Sequence, residues 1–257
     1  MMNKIDLHIH TTFSTDSKLK PDDLIEKAIA NGYSTIGITD HFDIIAESVS
    51  THTQLPYPDY CVKIDELKAR FPQIEIVQGA EVGEMHWFKE ELNEIFSYRD
   101  PEYIISSVHF LSNRREISTP FSGYLTNDEQ LDYYKMNLDM VTNADFEILG
   151  HLGIYNRYRK HDDSCCLDLK RRILKTIITK GIALEVNSSA LSKPLAQTIP
   201  TTEDLKLYFD MGGDLVSIGS DAHDIDLFDK HYEETMTLLQ TLNPNYKLYI
   251  PKEAKCK

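Results

Sequence analysis

Short apolar runs rich in Ile and Val alternate along this chain with longer stretches where apolar residues recur every three or four positions. The first pattern predicts strands covered on both faces, and the second predicts amphipathic helices. Strands are expected at 4–8, 35–39, 75–79, 103–108, 146–150, 182–186 and 215–219, with "YKLYI" at 246–250 as one more. Between them, "KPDDLIEKAIANG" carries Pro21 and acids at its start and Gly32 at its end, the asymmetry of a helix. "NDEQLDYYKMNLDMVTNA", "CLDLKRRILKTIITKG" and "TTEDLKLYFDMGG" read the same way, and Thr201 with Asp204 makes a candidate capping box. Strand–helix units follow one another with no Pro/Gly/Ser-rich linker, which predicts one α/β domain over 1–257. Seven or eight such units suit a closed parallel barrel, with a doubly wound open sheet as the competing layout. Residues 42–60 have weak periodicity and include Pro56 and Pro58, so they read as a loop, a lid or rim of a site.

Composition narrows the partners. The formal net charge is −14, and the basic runs at 156–160 and 170–172 are short. Nucleic-acid binders normally carry a basic stripe, so broad contact with a nucleic-acid backbone is not expected. No apolar run approaches the roughly 20 residues of a membrane span, and the first residues lack a signal-peptide layout. Cys61, Cys165, Cys166 and Cys256 make no CxxC pair and no disulfide framework. A cytoplasmic protein with reduced thiols is the expectation.

The candidate chemistry clusters where strands end. His8, His10 and Asp16 follow the first expected strand, and Asp40 with His41 follows the second. Glu81 follows the third, in "QGAEVG", His109 the fourth, in "SSVHF", and His151 the fifth, in "ILGHLG". Asp221 and His223 follow the seventh, in "SIGSDAH". Six of the ten histidines take such positions, too many for scattered surface residues. In a barrel all strand carboxyl ends open onto one face, so these distant positions would converge. His8 and His10 are two apart on a strand and point the same way, and Asp221 with His223 would too if the strand continued. Imidazole with carboxylate suits zinc, manganese or iron better than calcium.

These motifs, in this order, resemble the PHP (polymerase and histidinol phosphatase) family over nearly the whole chain: HxH, "TDH", a glycine-flanked Glu, "SVH", "GH" and "SDAH". The length and Asp16 look most like the family's monofunctional histidinol-phosphate phosphatases. The resemblance implies a distorted (β/α)7 TIM-like barrel with a trinuclear centre of divalent ions. His8, His10, Glu81 and Asp221 would hold the first ion. Glu81 would bridge to a second, completed by His109 and His151. Asp16, His41 and His223 would hold the third. Glu81, Asp221 and His223 form the implied catalytic set. The implied reaction is hydrolysis of a phosphate monoester, L-histidinol phosphate to L-histidinol in histidine biosynthesis, by a hydroxide bridging two ions.

The charge balance agrees. Three divalent ions bring about six positive charges, of which the three acids offset about three, so a phosphate dianion is attracted despite the acidic chain. Arg157 and Arg159 follow His151 on the same rim and Lys193 follows the sixth strand, so these are the candidate substrate contacts. Related phosphatases more often carry an arginine in that last loop, and a lysine supplies charge without a bidentate fork. Trp87, just beyond Glu81, could pack on a substrate ring or serve the fold. The expected partner is a small phosphorylated molecule. Three other readings compete: a PHP phosphoesterase for another monoester such as a nucleotide or phosphotyrosine, an amidohydrolase-type enzyme, and a non-catalytic PHP module. Amidohydrolases usually bridge their metals with a strand-four lysine, and degenerate modules lose ligands, whereas all nine positions here keep ligand types.

Overall fold

The computed structural model describes residues 4–44 and 56–251. Eight parallel strands form one sheet in chain order: β1 (Lys4–Asp6), β2 (Tyr33–Ile38), β3 (Glu75–Gly83), β4 (Tyr103–Ser107), β5 (Ile148–Leu149), β6 (Ala183–Asn187), β7 (Leu215–Gly219) and β8 (Lys247–Leu248). Parallel neighbours need a crossover, and one α-helix supplies each. These are α1 (Pro21–Ala30), α2 (Tyr57–Arg70), α3 (Lys89–Ile95), α4 (Asn127–Asn143), α5 (Leu167–Lys180), α6 (Thr202–Asp210) and α7 (Tyr232–Leu242).

The sheet curls until its first strand meets its seventh. Leu7 N–H donates to Ile218 O at 2.9 Å, Asp221 N–H to His8 O at 2.7 Å and His10 N–H to Ala222 O at 3.0 Å. The closure therefore runs through seven strands. β8 pairs with β7 only at Leu215–Val216, on the opposite end from this seam. A (β/α)7 barrel with a short appended strand accounts for both the seven strong apolar runs and the weaker "YKLYI".

Two apolar clusters follow from this shape. The larger lies between sheet and helices and takes in Leu24, Ile25, Ile64, Leu67, Met140 and Ile173. The smaller joins Ile5, Leu7, Val77, Tyr103, Ile105, Ile148 and Ala183, drawn from five strands, like the packed interior of a barrel. Tyr103 spans that interior and donates its hydroxyl to Leu7 O at 2.7 Å. A Cβ on Gly37 would sit 1.9 Å from that hydroxyl, so β2 needs a glycine opposite it.

The helix ends follow their local chemistry. α1 begins at Pro21 with Asp22 and Asp23 in its first turn, and α5 ends on Gly181 in the left-handed region at φ 72°. Thr126 forms a full capping box with Glu129 at the start of α4. Thr201 caps α6 by accepting from Asp204 N–H at 3.2 Å, while the Asp204 carboxylate takes the Thr201 hydroxyl, so this end has one half of the box.

Two of the boundaries that differ from the sequence expectation bear on the site. β3 runs on to Gly83, so Glu81 lies inside the strand and not after it. The reason is pairing on both sides: His41 bridges Glu81, and Glu81–Gly83 continue the register with Ile105–Ser107. α2 starts at Tyr57, so 57–60 are helical, and Pro58 fits because a first helical turn needs no proline N–H. The expected lid therefore shrinks, and its central part, 45–55, lies outside the described residues, as does Cys256. Among the described residues no helix is long and apolar enough to cross a membrane.

Candidate metal centre

The nine expected ligand positions meet at one end of the barrel. Glu81 is at the centre and fully buried. Its Oε1 takes the Ser107 hydroxyl at 2.8 Å and faces His151 Nε2 at 2.8 Å and His109 Nε2 at 3.2 Å. Its Oε2 faces His41 Nδ1 at 3.0 Å and the Nε2 atoms of His8 and His10, each at 3.3 Å. One carboxylate is thus shared by two groups of imidazoles. Around the rim, Asp16 Oδ2 lies 3.1 Å from His223 Nε2 and 3.5 Å from His41 Nε2. His10 stacks between the rings of His41 and His223, with centroids 4.2 and 4.1 Å away.

Most of these rings are tied by one nitrogen and aim the other inward. His8 Nδ1 meets Glu185 at 2.5 Å, His109 Nδ1 meets Asp43 at 2.9 Å and His223 Nδ1 meets the Asp221 carbonyl at 3.0 Å. His10 Nδ1 lies 3.3 Å from Ser14 Oγ, whose own proton goes to Asp40. Each ring therefore donates through Nδ1 and turns an Nε2 lone pair inward, the usual orientation of metal-ligating histidine. His8 Nε2 and His10 Nε2 then face each other at 3.0 Å, a contact that needs a proton or a metal cation between them. His8, His10 and Glu81 offer donor atoms close enough to share one ion, and so do His41, Glu81 and His109, and His10, His41 and His223. His41 takes part on both sides, so donor distances alone do not partition the cluster into three separate sets.

Asp221 is held in a conformation that strand geometry does not supply. Its φ is 52°, in the left-handed region, where a residue with a Cβ is strained. The strand does not persist to His223, yet both side chains turn to the cluster: Asp221 Oδ1 lies 3.3 Å from His10 Nε2 and 3.6 Å from His223 Nδ1. Arg157 grips Asp221 Oδ2 from the other side, and Asn187 Nδ2 approaches the same oxygen at 3.3 Å. Asp40 accepts four hydrogen bonds from Thr11 and Ser14, two backbone and two hydroxyl. It clamps the loop that carries His10 and Asp16.

The electrostatics favour positive charge. Burial opposes protonation of His8, but Glu185, Glu81 and Asp221 outweigh it and raise its pKa well above the ordinary imidazole range. Burial likewise opposes His41, and Glu81 and Asp16 lift it to about 10. His10 goes the other way: burial and the neighbouring His223 and His41 lower it. Burial pushes Asp16 up, but His223 and His41 prevail and hold its carboxyl well below the usual range. The donor set, its lone-pair orientation and this field all fit divalent cations.

The pattern of the PHP domain family matches residues 6–189. The chain belongs to the PHP domain family. A histidinol-phosphatase from Lactococcus lactis subsp. lactis is 30% identical over 233 residues, covering 86% of this chain and 85% of the relative. A probable histidinol-phosphatase from Thermotoga maritima is 28% identical over 243 residues, covering 94% of each chain. The crystal structure of the Lactococcus lactis histidinol phosphate phosphatase with zinc, L-histidinol and phosphate superposes with a TM-score of 0.81. It is 27% identical and covers 96% of this chain and 95% of its own.

Within this PHP barrel the expected substrate cations take different places. Arg157 reaches the cluster through Asp221 and keeps a buried Nε without a hydrogen-bond partner among the described residues. Arg159 instead donates to Gly123 O and covers the Tyr124 ring at 4.9 Å, fastening the 114–125 loop. Lys193 is half-buried, with its Nζ 5.4 Å from the centre of the Tyr158 ring. Trp87 is 39% exposed, and its ring neighbours among the described residues are His86 and Phe88. Sequence reasoning missed the supporting acids Asp43 and Glu185. Asp43 stands behind His109 and also accepts from Gly83 N–H, and Glu185 stands behind His8 and also accepts from His151 N–H. Glu185 could have been suspected, because a charged residue inside the apolar strand "IALEVN" must find partners.

Proposed function

We propose that this chain hydrolyses a phosphate monoester, L-histidinol phosphate, to L-histidinol and phosphate. The observation that carries the reading is the Glu81 carboxylate, shared through its two oxygens by two groups of imidazoles. The named activity of the Lactococcus and Thermotoga relatives supports the substrate. In this reading His8, His10, Glu81 and Asp221 hold one divalent ion, and Glu81, His109 and His151 a second. Asp16, His41 and His223 hold a third. Zinc, manganese and iron all suit imidazole–carboxylate donors.

When bound, such ions supply a hydroxide at neutral pH and stabilise charge on the departing oxygen. The protein's own residues do the rest. Glu81 would offer one oxygen to each of two ions, Asp221 would be a ligand held in place by Arg157, and His223 would complete the catalytic set on the solvent side, where its side chain is 24% exposed. Arg157 would offer its unpartnered Nε to a phosphate oxygen while one terminal nitrogen keeps Asp221 in position. Lys193 and Arg159 add positive charge on the rim. We further read residues 1–257 as one domain. The family match ends at residue 189, but β7 and β8 continue the same sheet.

The test is phosphate release from a panel of histidinol phosphate, AMP, phosphotyrosine and p-nitrophenyl phosphate. Histidinol phosphate is expected to give the highest kcat/KM. Another monoester turned over at least tenfold better would sink this substrate assignment.

A further inference from the structure

Glu185 lies in the middle of β6 with its side chain fully buried. Its Oε1 accepts from His8 Nδ1 at 2.5 Å and from Asn187 Nδ2 at 3.2 Å, and its Oε2 accepts from the His151 backbone N–H at 2.5 Å. All three partners are donors, so both oxygens must accept. A carboxamide has only one acceptor oxygen, and either orientation sets an NH2 against an N–H. The neighbouring strands are shaped for this acid. A Cβ on Gly219 of β7 would lie 2.1 Å from Glu185 Oε1 and 2.7 Å from His8 Cβ, so only glycine leaves room for the pair. Among the described residues no lysine or arginine hydrogen-bonds Glu185. A buried carboxylate so placed is costly unless its hydrogen bonds are complete and cations lie nearby.

We propose that Glu185 is a positioning residue of the metal centre. It fixes His8 as the Nδ1–H tautomer and so directs the Nε2 lone pair at the first ion. Through the His151 N–H it also ties the ligands of the first ion to those of the second. The inference rests on the reading of His8 and His151 as ion ligands. Hydrogen-bonded carboxylates behind ligating histidines typically change metal affinity by about 10–100-fold when removed.

The experiment measures zinc affinity by competition with a chromophoric chelator for the wild-type protein, Glu185→Gln and His8→Ala, with circular dichroism as the fold control. A folded Glu185→Gln that holds its weakest-bound required zinc about 10–100-fold less tightly supports the proposal. A folded Glu185→Gln with wild-type affinities overturns it. If His8→Ala also keeps wild-type affinities, the ligand reading itself has failed; if only Glu185→Gln does, the positioning role alone has failed. A second measurement needs no variant to fold. In zinc-loaded wild-type protein, histidine nitrogen-15 NMR should find the His8 proton on Nδ1, at low field and protected from exchange. A proton on Nε2 overturns the proposal.

Discussion

Glu81→Gln is the most informative single change. It removes one negative charge and turns one oxygen into an NH2 that must face imidazoles from one group or the other, at 2.8–3.3 Å in the present geometry. The size of the effect follows from Coulomb's law. One unit charge about 4 Å from another contributes about 4 kcal/mol at an effective dielectric of about 20. That corresponds to about 10³-fold in affinity, and a divalent ion only increases it. The shared position of Glu81 means that the loss falls on two ions at once. The assay is ion stoichiometry by elemental analysis after dialysis, followed by initial rates of phosphate release at saturating substrate. The expected variant is folded, is depleted of at least one ion and turns over about 10³-fold more slowly. A Glu81→Gln protein that keeps its ions and stays within tenfold of the wild-type rate would refute the bridging role.

Changes at three other residues probe separate links between structure and activity. Arg157→Ala should lower kcat/KM for the phosphate ester by about 10–100-fold, the equivalent of a lost charged hydrogen bond. Arg157→Lys should recover only part of it, because a lysine cannot hold Asp221 and a phosphate oxygen together as a planar fork does; full recovery in steady-state kinetics would argue against that double contact. Tyr103→Phe removes the donor to Leu7 O inside the barrel and should cost about 1–3 kcal/mol in denaturant melts, with ion stoichiometry unchanged. Thr126→Ala deletes the capping box of α4 and should cost about 1 kcal/mol of stability while leaving turnover as it was.

The barrel was legible because strands covered on both faces are apolar throughout and parallel strands need helices between them. The convergence of the expected ligand positions was legible for a related reason: imidazoles at successive strand ends have no structural explanation in common. What stayed hidden depends on contacts that spacing does not encode. Asp40 sits beside His41 in the sequence yet spends its carboxylate on Thr11 and Ser14. Asp43 supports His109 across 66 residues, and Glu185 supports His8 across 177. Arg157 and Arg159 look equivalent on the page, but one turns in to Asp221 and the other out to Gly123 and Tyr124. The left-handed backbone at Asp221 was also unforeseen, since strand alternation predicts the opposite. In each case the residue type was visible, and the partner was supplied by the fold.

The central claim is that this buried cluster holds divalent ions that carry out the hydrolysis. The direct measurement is to strip the protein with a chelator, then titrate zinc or manganese while recording bound ions and histidinol phosphate turnover on the same sample. Stripping should leave negligible activity, which should return in step with filling of the cluster and reach a plateau near three ions per chain. Full activity in the stripped protein, or a plateau reached with the cluster histidines still free of metal, would contradict it.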